Sequence, residues 1–497
     1  MPPHVEENRP SRHDTNEETP LLDENLSNRD AVDEDTRKLL KFEDGDESNP
    51  RNWPRRRKMV NVFVIAMMSI LSPLASSAFT PGLQQIADDL GTDKNTVIGT
   101  TTGFVVCLGI GPLFLAPLSE TYGRRNLYLI CFGVFSLLQI PTALAPNVQT
   151  LIAMRTIAGF FGSVGIANGG GTISDMFTPN ERASIYGWYL LGPLLGPTIG
   201  PVFGGVVVQR LNWRWIFFLL TIVSGINTLA GYFFLRESYA PIVLSKKKVE
   251  LEKEEGVSDR YRVDGYDETP LGSKILRALS RPLRIFIQPI VITMSVYQAL
   301  VFGTTYSIYT NFQSIYQDRY GFNTEQVGLL YLGPGIGFLT AVWFLVPRID
   351  TVYQSLTSKN GGKSKPEYRL PLANIGSVLI PVSLFWFAWA VELHLHWIVS
   401  IIATFFYGLG QVMILNTVQN YYIDSFEKFA ASAIAAGAVF RSLVGGVVPL
   451  LTPRLIEAIG VGWGISVFGF LSVVIAPAPI LFYVFGQRIR ERFAIEL

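Results

Sequence analysis

The stretch from Gly192 to Gly205, GPLLGPTIGPVFGG, has a glycine at every fourth position and a proline beside three of them. In a water-soluble helix this composition is destabilising, because proline removes a backbone hydrogen bond and glycine loses much conformational freedom on folding. In a membrane, glycines at i, i+4 and i+8 form a smooth face that a neighbouring backbone can approach closely. We therefore predict a membrane helix that packs tightly along Gly196, Gly200 and Gly204, whether or not that packing has a function.

The apolar segments on either side of this stretch indicate a polytopic membrane protein. Of the 497 residues, 49% are hydrophobic and only 16% are charged. Runs of about twenty apolar residues, long enough to cross a bilayer, recur along the chain. We predict twelve spans, at residues 60–81, 97–117, 127–145, 149–173, 183–207, 214–235, 287–312, 326–346, 371–391, 397–421, 431–453 and 463–485.

The polar segments divide these spans into two sets of six. Residues 1–50 carry fifteen acidic and six basic residues, a composition typical of a disordered tail. A second hydrophilic stretch separates the sixth span from the seventh. The predicted organisation is a disordered cytoplasmic tail at 1–58, an N-terminal bundle at 59–236, a cytoplasmic linker at 237–285, a C-terminal bundle at 286–486 and a cytoplasmic tail at 487–497.

The positions of the basic residues predict the orientation. Segments on the side of the N-terminus hold 28 Lys and Arg, against four in the opposite loops and Arg214 at a border. Basic residues are retained on the cytoplasmic side of membranes. We therefore expect both termini to be cytoplasmic. The two cysteines lie in apolar segments and suggest neither a disulfide framework nor a metal site.

Three motifs combine charge or glycine with apolar helices. Pro117–Arg125, PLSETYGRR, follows the second span, and its charged residues could hold two helix ends together or simply anchor the chain on the cytoplasmic side. In the fourth span, Arg155 precedes Gly159, Gly162 and the sequence NGGGTISD at Asn168–Asp175. The third motif is the Gly/Pro stretch of the fifth span.

Together these motifs resemble those of fungal members of the major facilitator superfamily, in the twelve-helix drug:proton antiporter group. The resemblance covers the chain from about Trp53 onward. It implies an all-α membrane protein, with twelve helices in two six-helix bundles, that exports small organic compounds by proton antiport and alternating access. Ala116 departs from the pattern, since the family usually has glycine there. The resemblance implies gating or coupling roles for Glu120, Arg124, Arg125, Gly196, Pro197, Gly200, Pro201 and Gly204.

Two arginines lie inside apolar spans, where an arginine without a partner costs about 2.5–3.5 kcal/mol. Arg155 could face a cavity or extend to the interface, and Arg441 could face a cavity or pair with backbone carbonyls. Polar and aromatic side chains at helical spacing suggest a central substrate site between the halves, although such stripes also occur in packed cores. The candidate substrate-binding residues are Arg155, Asn168, Gln298, Tyr306, Tyr309, Tyr331, Gln411, Asn416, Gln419 and Arg441.

No Asp or Glu lies in the interior of a predicted span, which argues against a polycationic substrate such as a polyamine. Two arginines would suit a carboxylate, an enolate or a neutral polar molecule. The same absence leaves Asp175 and Glu120, near span ends, as the candidate proton carriers.

We expect a monomer in the lipid bilayer that takes a small-molecule substrate and protons, with no cofactor, metal or nucleic acid. The membrane is the plasma membrane or the vacuolar membrane. One alternative is a proton-linked importer of a small organic nutrient. A membrane enzyme or a receptor is another, but the sequence contains no nucleophile–base pair and no phosphate-binding loop.

Overall fold

The computed structural model describes residues 37–43, 45–256, 260–267, 269–426 and 429–493. The six spans of the first half follow one another through short loops. In chain order they are Arg55–Ser77, Lys94–Tyr122, Arg124–Ala143, Val148–Gly162 continued by Val164–Met176, Pro179–Arg210 and Trp213–Phe234. A short helix, Leu83–Leu90, and a 3-10 turn, Thr80–Gly82, connect spans 1 and 2.

The second half repeats this pattern with one composite span. Span 8 contains Thr324–Leu330, Leu332–Thr340, a π-helical turn at Ala341–Leu345 and Val346–Lys359. A 3-10 turn, Pro366–Arg369, precedes span 9. The remaining helices are Pro289–Tyr320 (span 7), Ala373–Glu392 (span 9), Trp397–Ser425 (span 10), Ala430–Ile475 and Ala478–Arg492.

The last helical stretch contains two spans. Eleven stretches of the described chain are long and apolar enough to cross a membrane, and the last, Ala430–Arg492, has 63 residues. At 1.5 Å per residue its length is roughly 95 Å, about three times the hydrocarbon thickness of a bilayer. Gly460, with φ 81° and ψ 167°, breaks the helix between spans 11 and 12. The chain therefore has the expected twelve spans.

Because the chain crosses the membrane an even number of times, the start of span 1 and the end of span 12 lie on the same face. We call the face at Arg55 and Arg492 the terminal face, and the opposite one the distal face. Each half has its own apolar core, one built from residues between Trp53 and Leu235 and the other from residues between Ile285 and Phe482. This is what two separately packed bundles require.

The polar segments at the terminal face are more ordered than we expected. Disorder was predicted as far as residue 58, yet Lys38–Leu40 forms a strand that pairs in parallel with Tyr261–Val263 of the linker. Asp46 also binds Lys247, with Nζ 2.8 Å from Oδ2. Residues 1–36 lie outside the described part of the chain.

The linker is partly helical, and the C-terminal helix runs further than predicted. The linker contains two helices, Ala240–Glu255 and Leu271–Phe286, and the second packs against both span 2 and the helix that begins at Ala430. The final helix continues to Arg492, beyond the expected end of the bundle at residue 486. In its last turn, Arg490 bonds Glu367 across the fold at 3.0 Å.

Candidate functional site

The glycine face of span 5 packs directly on the backbone of span 1. A Cβ atom at Gly196 would lie 2.9 Å from the Leu74 nitrogen, and one at Gly200 would lie 2.6 Å from the Leu74 oxygen. At Gly204 the added atom would lie 1.6 Å from the Ala78 oxygen. These positions therefore admit no side chain, and the close packing predicted from the glycine spacing is confirmed.

The same helix meets the second half at the distal face. A Cβ atom at Gly205 would lie 3.0 Å from the Gly328 Cα, so spans 5 and 8 touch backbone to backbone there. Pro201 contributes its carbonyl, 2.7 Å from a Cβ atom built at Gly328, whereas Pro197 is half-buried. Beyond this contact, Arg210 pairs with Glu325 at 2.9 Å. We call these contacts between spans 5 and 8 the distal seam.

Further hydrogen bonds join the halves between the distal face and the middle of the bundle. Lys94 donates to Ser314 close to the distal ends of spans 2 and 7. Thr102 donates to the Gly446 carbonyl at 2.7 Å. The Ser76 and Tyr306 hydroxyls lie 3.0 Å apart, joining spans 1 and 7.

Arg155 lies in an aromatic enclosure within the distal half of the first bundle. Its Cζ is 4.3 Å from the ring centre of Phe79 and 4.5 Å from that of Phe104, and Nη1 donates to the Ala75 carbonyl at 3.0 Å. The side chain is 1% exposed. Nε and Nη2 have no hydrogen-bond partner in the described structure. Arg155 therefore does not extend to the interface.

Arg441 lies near the middle of span 11 and keeps part of its surface exposed. Its Cζ is 5.1 Å from the ring centre of Phe302, and its buried Nε has no described partner. Tyr306 interacts electrostatically with both Arg441 and Arg155. The fold thus brings three of the predicted substrate-binding residues together at the centre of the interface between halves.

Other predicted binding residues are placed in the core of the second half. Tyr309 and Tyr331 are buried, and the Tyr331 hydroxyl donates to the Tyr309 carbonyl at 2.5 Å. Gln411 is also buried and accepts from Thr305 at 3.0 Å. Tyr331 also reaches the first half, since its hydroxyl lies 3.5 Å from that of Thr80, whereas the described hydrogen bonds of Tyr309 and Gln411 stay within the second half. Helical spacing alone does not distinguish a core face from an interface.

The remaining candidates lie closer to the terminal face. Asn168 is buried and accepts from Ser119 at 2.9 Å, while its Nδ2 has no described partner. Gln298 is also buried, and its Nε2 is similarly unpartnered. Asn416 and Gln419 are half-buried on span 10. These four retain polar atoms that a ligand could use.

A charged cluster joins spans 3 and 4 at the terminal face. Arg124, which is 7% exposed, donates from Nε to Asp175 at 2.7 Å and from Nη1 to Ser119 at 2.9 Å. A Cβ atom at Gly171 would lie 2.7 Å from Arg124 Nη2. The glycine run of span 4 therefore makes room for the guanidinium group. Glu120, expected to be the acidic partner, is exposed and makes none of the described ion pairs.

The acid that completes this cluster comes from the chain after span 6. Glu237 accepts from the backbone nitrogens of Arg124 and Arg125 at 3.0 and 3.1 Å. Arg125 itself donates to the Leu235 carbonyl at 2.7 Å. Gly123, at φ 92°, leaves room for the carboxylate, which would lie 2.5 Å from an added Cβ atom. Nothing in the local sequence indicates this contact beyond the position of Glu237 near a span end.

Burial beside the cluster raises the pKa of Tyr239 to about 12, further above neutral pH than that of a free tyrosine. Its ring centre is 5.1 Å from Arg124 Cζ. The aromatic face thus stabilises the guanidinium group without competing for its hydrogen bonds.

A matching cluster in the second half was not predicted. Arg369 donates from Nε to Asp424 at 2.7 Å and also pairs with Asp350. Its Cζ lies 4.0 Å from the Tyr353 ring centre. In each half, therefore, an arginine before the third span binds an aspartate at the end of the fourth.

One surface groove lies away from these clusters. It has a volume of about 550 Å³ and is lined mainly by apolar side chains of the final helix, including Phe482 and Phe485. None of the predicted site residues lines it.

Comparison with known proteins agrees with this architecture. The Major Facilitator Superfamily profile matches residues 65–449. The MFS transporter cpaT of Aspergillus oryzae is 38% identical over 449 residues, covering 90% of each chain. The efflux pump radE of Floropilus chiversii is 38% identical over 459 residues, covering 91% of this chain and 85% of that protein.

A solved structure shares the fold at low sequence identity. The crystal structure of a D-xylose-proton symporter superposes with a TM-score of 0.64 and 16% identity, covering 86% of this chain and 97% of the symporter. At this identity the likeness concerns the fold alone. With the family match over most of the chain and the twelve spans in two halves, the protein belongs to the Major Facilitator Superfamily and is a multi-pass membrane transporter of small molecules.

Proposed function

We propose that the protein exports small organic compounds from the cytoplasm by alternating access, driven by proton influx. This proposal rests on the positions of the hydrogen bonds and ion pairs that join the two halves. Every described hydrogen bond or ion pair between spans of the two halves lies at the middle or the distal side. Arg441, Asn416 and Gln419 remain partly exposed nearer the terminal face. This is the arrangement of a transporter that accepts substrate from the terminal side.

The excess of Lys and Arg at the terminal face supports a cytoplasmic location for that face and both termini. Export is further supported by a 38% identical relative that is named an efflux pump. We also propose that the monomer is the working unit, since a single chain contains both six-span bundles and the interface between them.

The charged cluster at the terminal face is the proposed coupling element. Protonation of Asp175 would remove the charge that holds Arg124 at 2.7 Å, and loss of this ion pair would release span 3 from span 4. We therefore propose Asp175 as the proton carrier. Glu120 is less suited to this role because it holds no described ion pair that protonation would break.

Inside-out membrane vesicles with an acidic lumen would test the proposed direction. We expect vesicles that contain the protein to accumulate the neutral probe 2-naphthamide and to lose their pH gradient faster than protein-free vesicles. Accumulation only in right-side-out vesicles with an acidic exterior would instead identify a proton-linked importer. Dissipating the gradient with a protonophore should abolish accumulation if protons drive the transport.

A further inference from the structure

The centre of the membrane domain carries positive charge with no acidic partner. Arg155 and Arg441 are interior residues of their spans, whereas every Asp and Glu of the described spans lies near a helix end. Charged side chains inside a membrane are normally paired with one another or with backbone carbonyls, or they face a cavity or a functional ligand. Arg155 has the Ala75 carbonyl as a partner, but no described carboxylate neutralises either arginine, so an anionic ligand could supply the compensating charge.

Arg441 is the arginine that a ligand can reach. It remains partly exposed, and among the described residues Tyr306 and Tyr422 are the titratable groups that interact with it electrostatically. The Tyr422 hydroxyl is already occupied by Ser295 at 3.0 Å and by a backbone carbonyl. The guanidinium group thus keeps free hydrogen-bond donors beside the Phe302 ring.

Arg155 extends the positive region toward the distal face. Only one of its three guanidinium nitrogens has a described hydrogen-bond partner. Tyr306 lies between the two arginines, with its hydroxyl bonded to Ser76 of the other half. Because Arg155 is sealed by aromatic rings in this state, Arg441 is the first of the two that a compound arriving from the terminal face would meet.

We propose that the compounds carried are aromatic organic anions, carboxylates or enolates, whose charged group binds Arg441 beside Tyr306. This inference rests on the proposed transport function and names its substrate class. A planar guanidinium binds a carboxylate or an enolate oxygen through charge-assisted hydrogen bonds. The half-buried Phe302 ring, which packs 5.0 Å from the buried Tyr306 ring, provides an apolar surface for the aromatic body of the compound.

Three probes of the same shape distinguish this proposal from its alternatives. The purified full-length protein would be titrated with 2-naphthoate, 2-naphthamide and 2-naphthylmethylammonium, with thermal stabilisation as the measure of binding. We expect the carboxylate to bind at least tenfold more tightly than the amide, and the ammonium compound more weakly than both. Because binding is measured without a gradient, the result is independent of the direction of transport.

Two variants test whether the charge of Arg441 is responsible for the preference for the carboxylate. Arg441→Gln should remove the preference for 2-naphthoate over 2-naphthamide while leaving amide binding within about twofold. Arg454→Gln removes the same charge from an exposed position of the same span and should keep the preference. Should Arg441→Gln fail to fold, Arg441→Lys provides the test, since it keeps the charge but loses the planar donor pair and should reduce the preference.

Two results would overturn the proposal. One is stronger stabilisation by 2-naphthylmethylammonium than by 2-naphthoate. The other is an unchanged preference for the carboxylate in a folded Arg441 variant. If 2-naphthoate binds as expected but inside-out vesicles with an acidic lumen accumulate neither 2-naphthoate nor 2-naphthamide, the anion site stands and the proposed export function fails.

Discussion

Arg369 binds Asp424 in the second half as Arg124 binds Asp175 in the first, each through Nε and Oδ2 at 2.7 Å. Both arginines lie just before a third span, and both aspartates end a fourth. Such repetition is expected when two halves of a transporter derive from one structural unit. It also means that the terminal ends of both bundles are held by comparable, partly shielded ion pairs.

The first prediction concerns the acid at position 175. Removing one partner of a shielded ion pair leaves the other charge uncompensated, which can cost about 3–5 kcal/mol when both are buried. Asp175→Asn should therefore lower the melting temperature and reduce transport at least tenfold, as measured in proteoliposomes. Glu120→Gln, which removes an exposed carboxylate, should have a clearly smaller effect. Equal losses in both variants would contradict the assignment of Asp175 as the partner of Arg124.

The second prediction compares two glycines of one helix. Gly204→Ala would place a methyl group 1.6 Å from the Ala78 oxygen, whereas Gly187 has open space around its Cα. Overpacking of this kind costs about 1–3 kcal/mol. Gly204→Ala should therefore lower the melting temperature in detergent and impair transport. Gly187→Ala should leave both close to wild type, because alanine favours the helix and meets no neighbour there. A comparable loss at Gly187 would show that the close contact with Ala78 is not the cause of the loss at Gly204.

The third prediction concerns the distal seam, which must separate if transport proceeds by alternating access. Arg210→Cys combined with Glu325→Cys places two thiols at the ends of spans 5 and 8. A short bifunctional thiol reagent should link them and stop transport, and a reducible version should restore transport after reduction. Each single cysteine variant, treated alike, is the control. Full transport in the linked protein would show that this seam stays closed throughout the cycle.

The fourth prediction concerns the ordered part of the N-terminal tail. The hydrogen bond from Lys247 lowers the pKa of Asp46 to about 2, compared with 3.8 for the free side chain. A depressed pKa means that this bond stabilises the fold above pH 3.8 and loses its effect as the pH falls toward 2. At neutral pH, Asp46→Asn should increase hydrogen exchange at the Lys38 and Asp264 amides, which bond across the strand pair. Exchange in span 1 should not change.

The sequence predicted best those features that depend on a pattern within a single helix, such as hydrophobic length or glycine spacing. The lengths of the hydrophobic segments predicted all twelve spans. The helices extend beyond the predicted bounds, as in Lys94–Tyr122, for which 97–117 was predicted. Polar residues can extend a helix past the apolar core into the interface, so hydropathy places span centres better than ends. The glycine spacing likewise identified the close-packed face of span 5.

Contacts between distant segments were less predictable. Glu237 caps a helix that begins more than a hundred residues earlier, and Arg369 reaches Asp424 across an intervening span. Nothing in the local pattern specifies such partners. The aromatic spacing of span 7 was equally ambiguous, because Tyr306 faces the other half while Tyr309, less than one turn later, packs into its own core.

The contact of Gly205 with Gly328 has a mechanical consequence. Two helices that meet without side chains lack interlocking ridges and grooves that would fix their relative position. They can shift along each other in small steps while remaining in van der Waals contact. Span 5 can therefore act as a sliding surface that keeps the distal side free of leaks as the bundles begin to tilt. The charged pair of Arg210 and Glu325, by contrast, must break for that tilt to be completed.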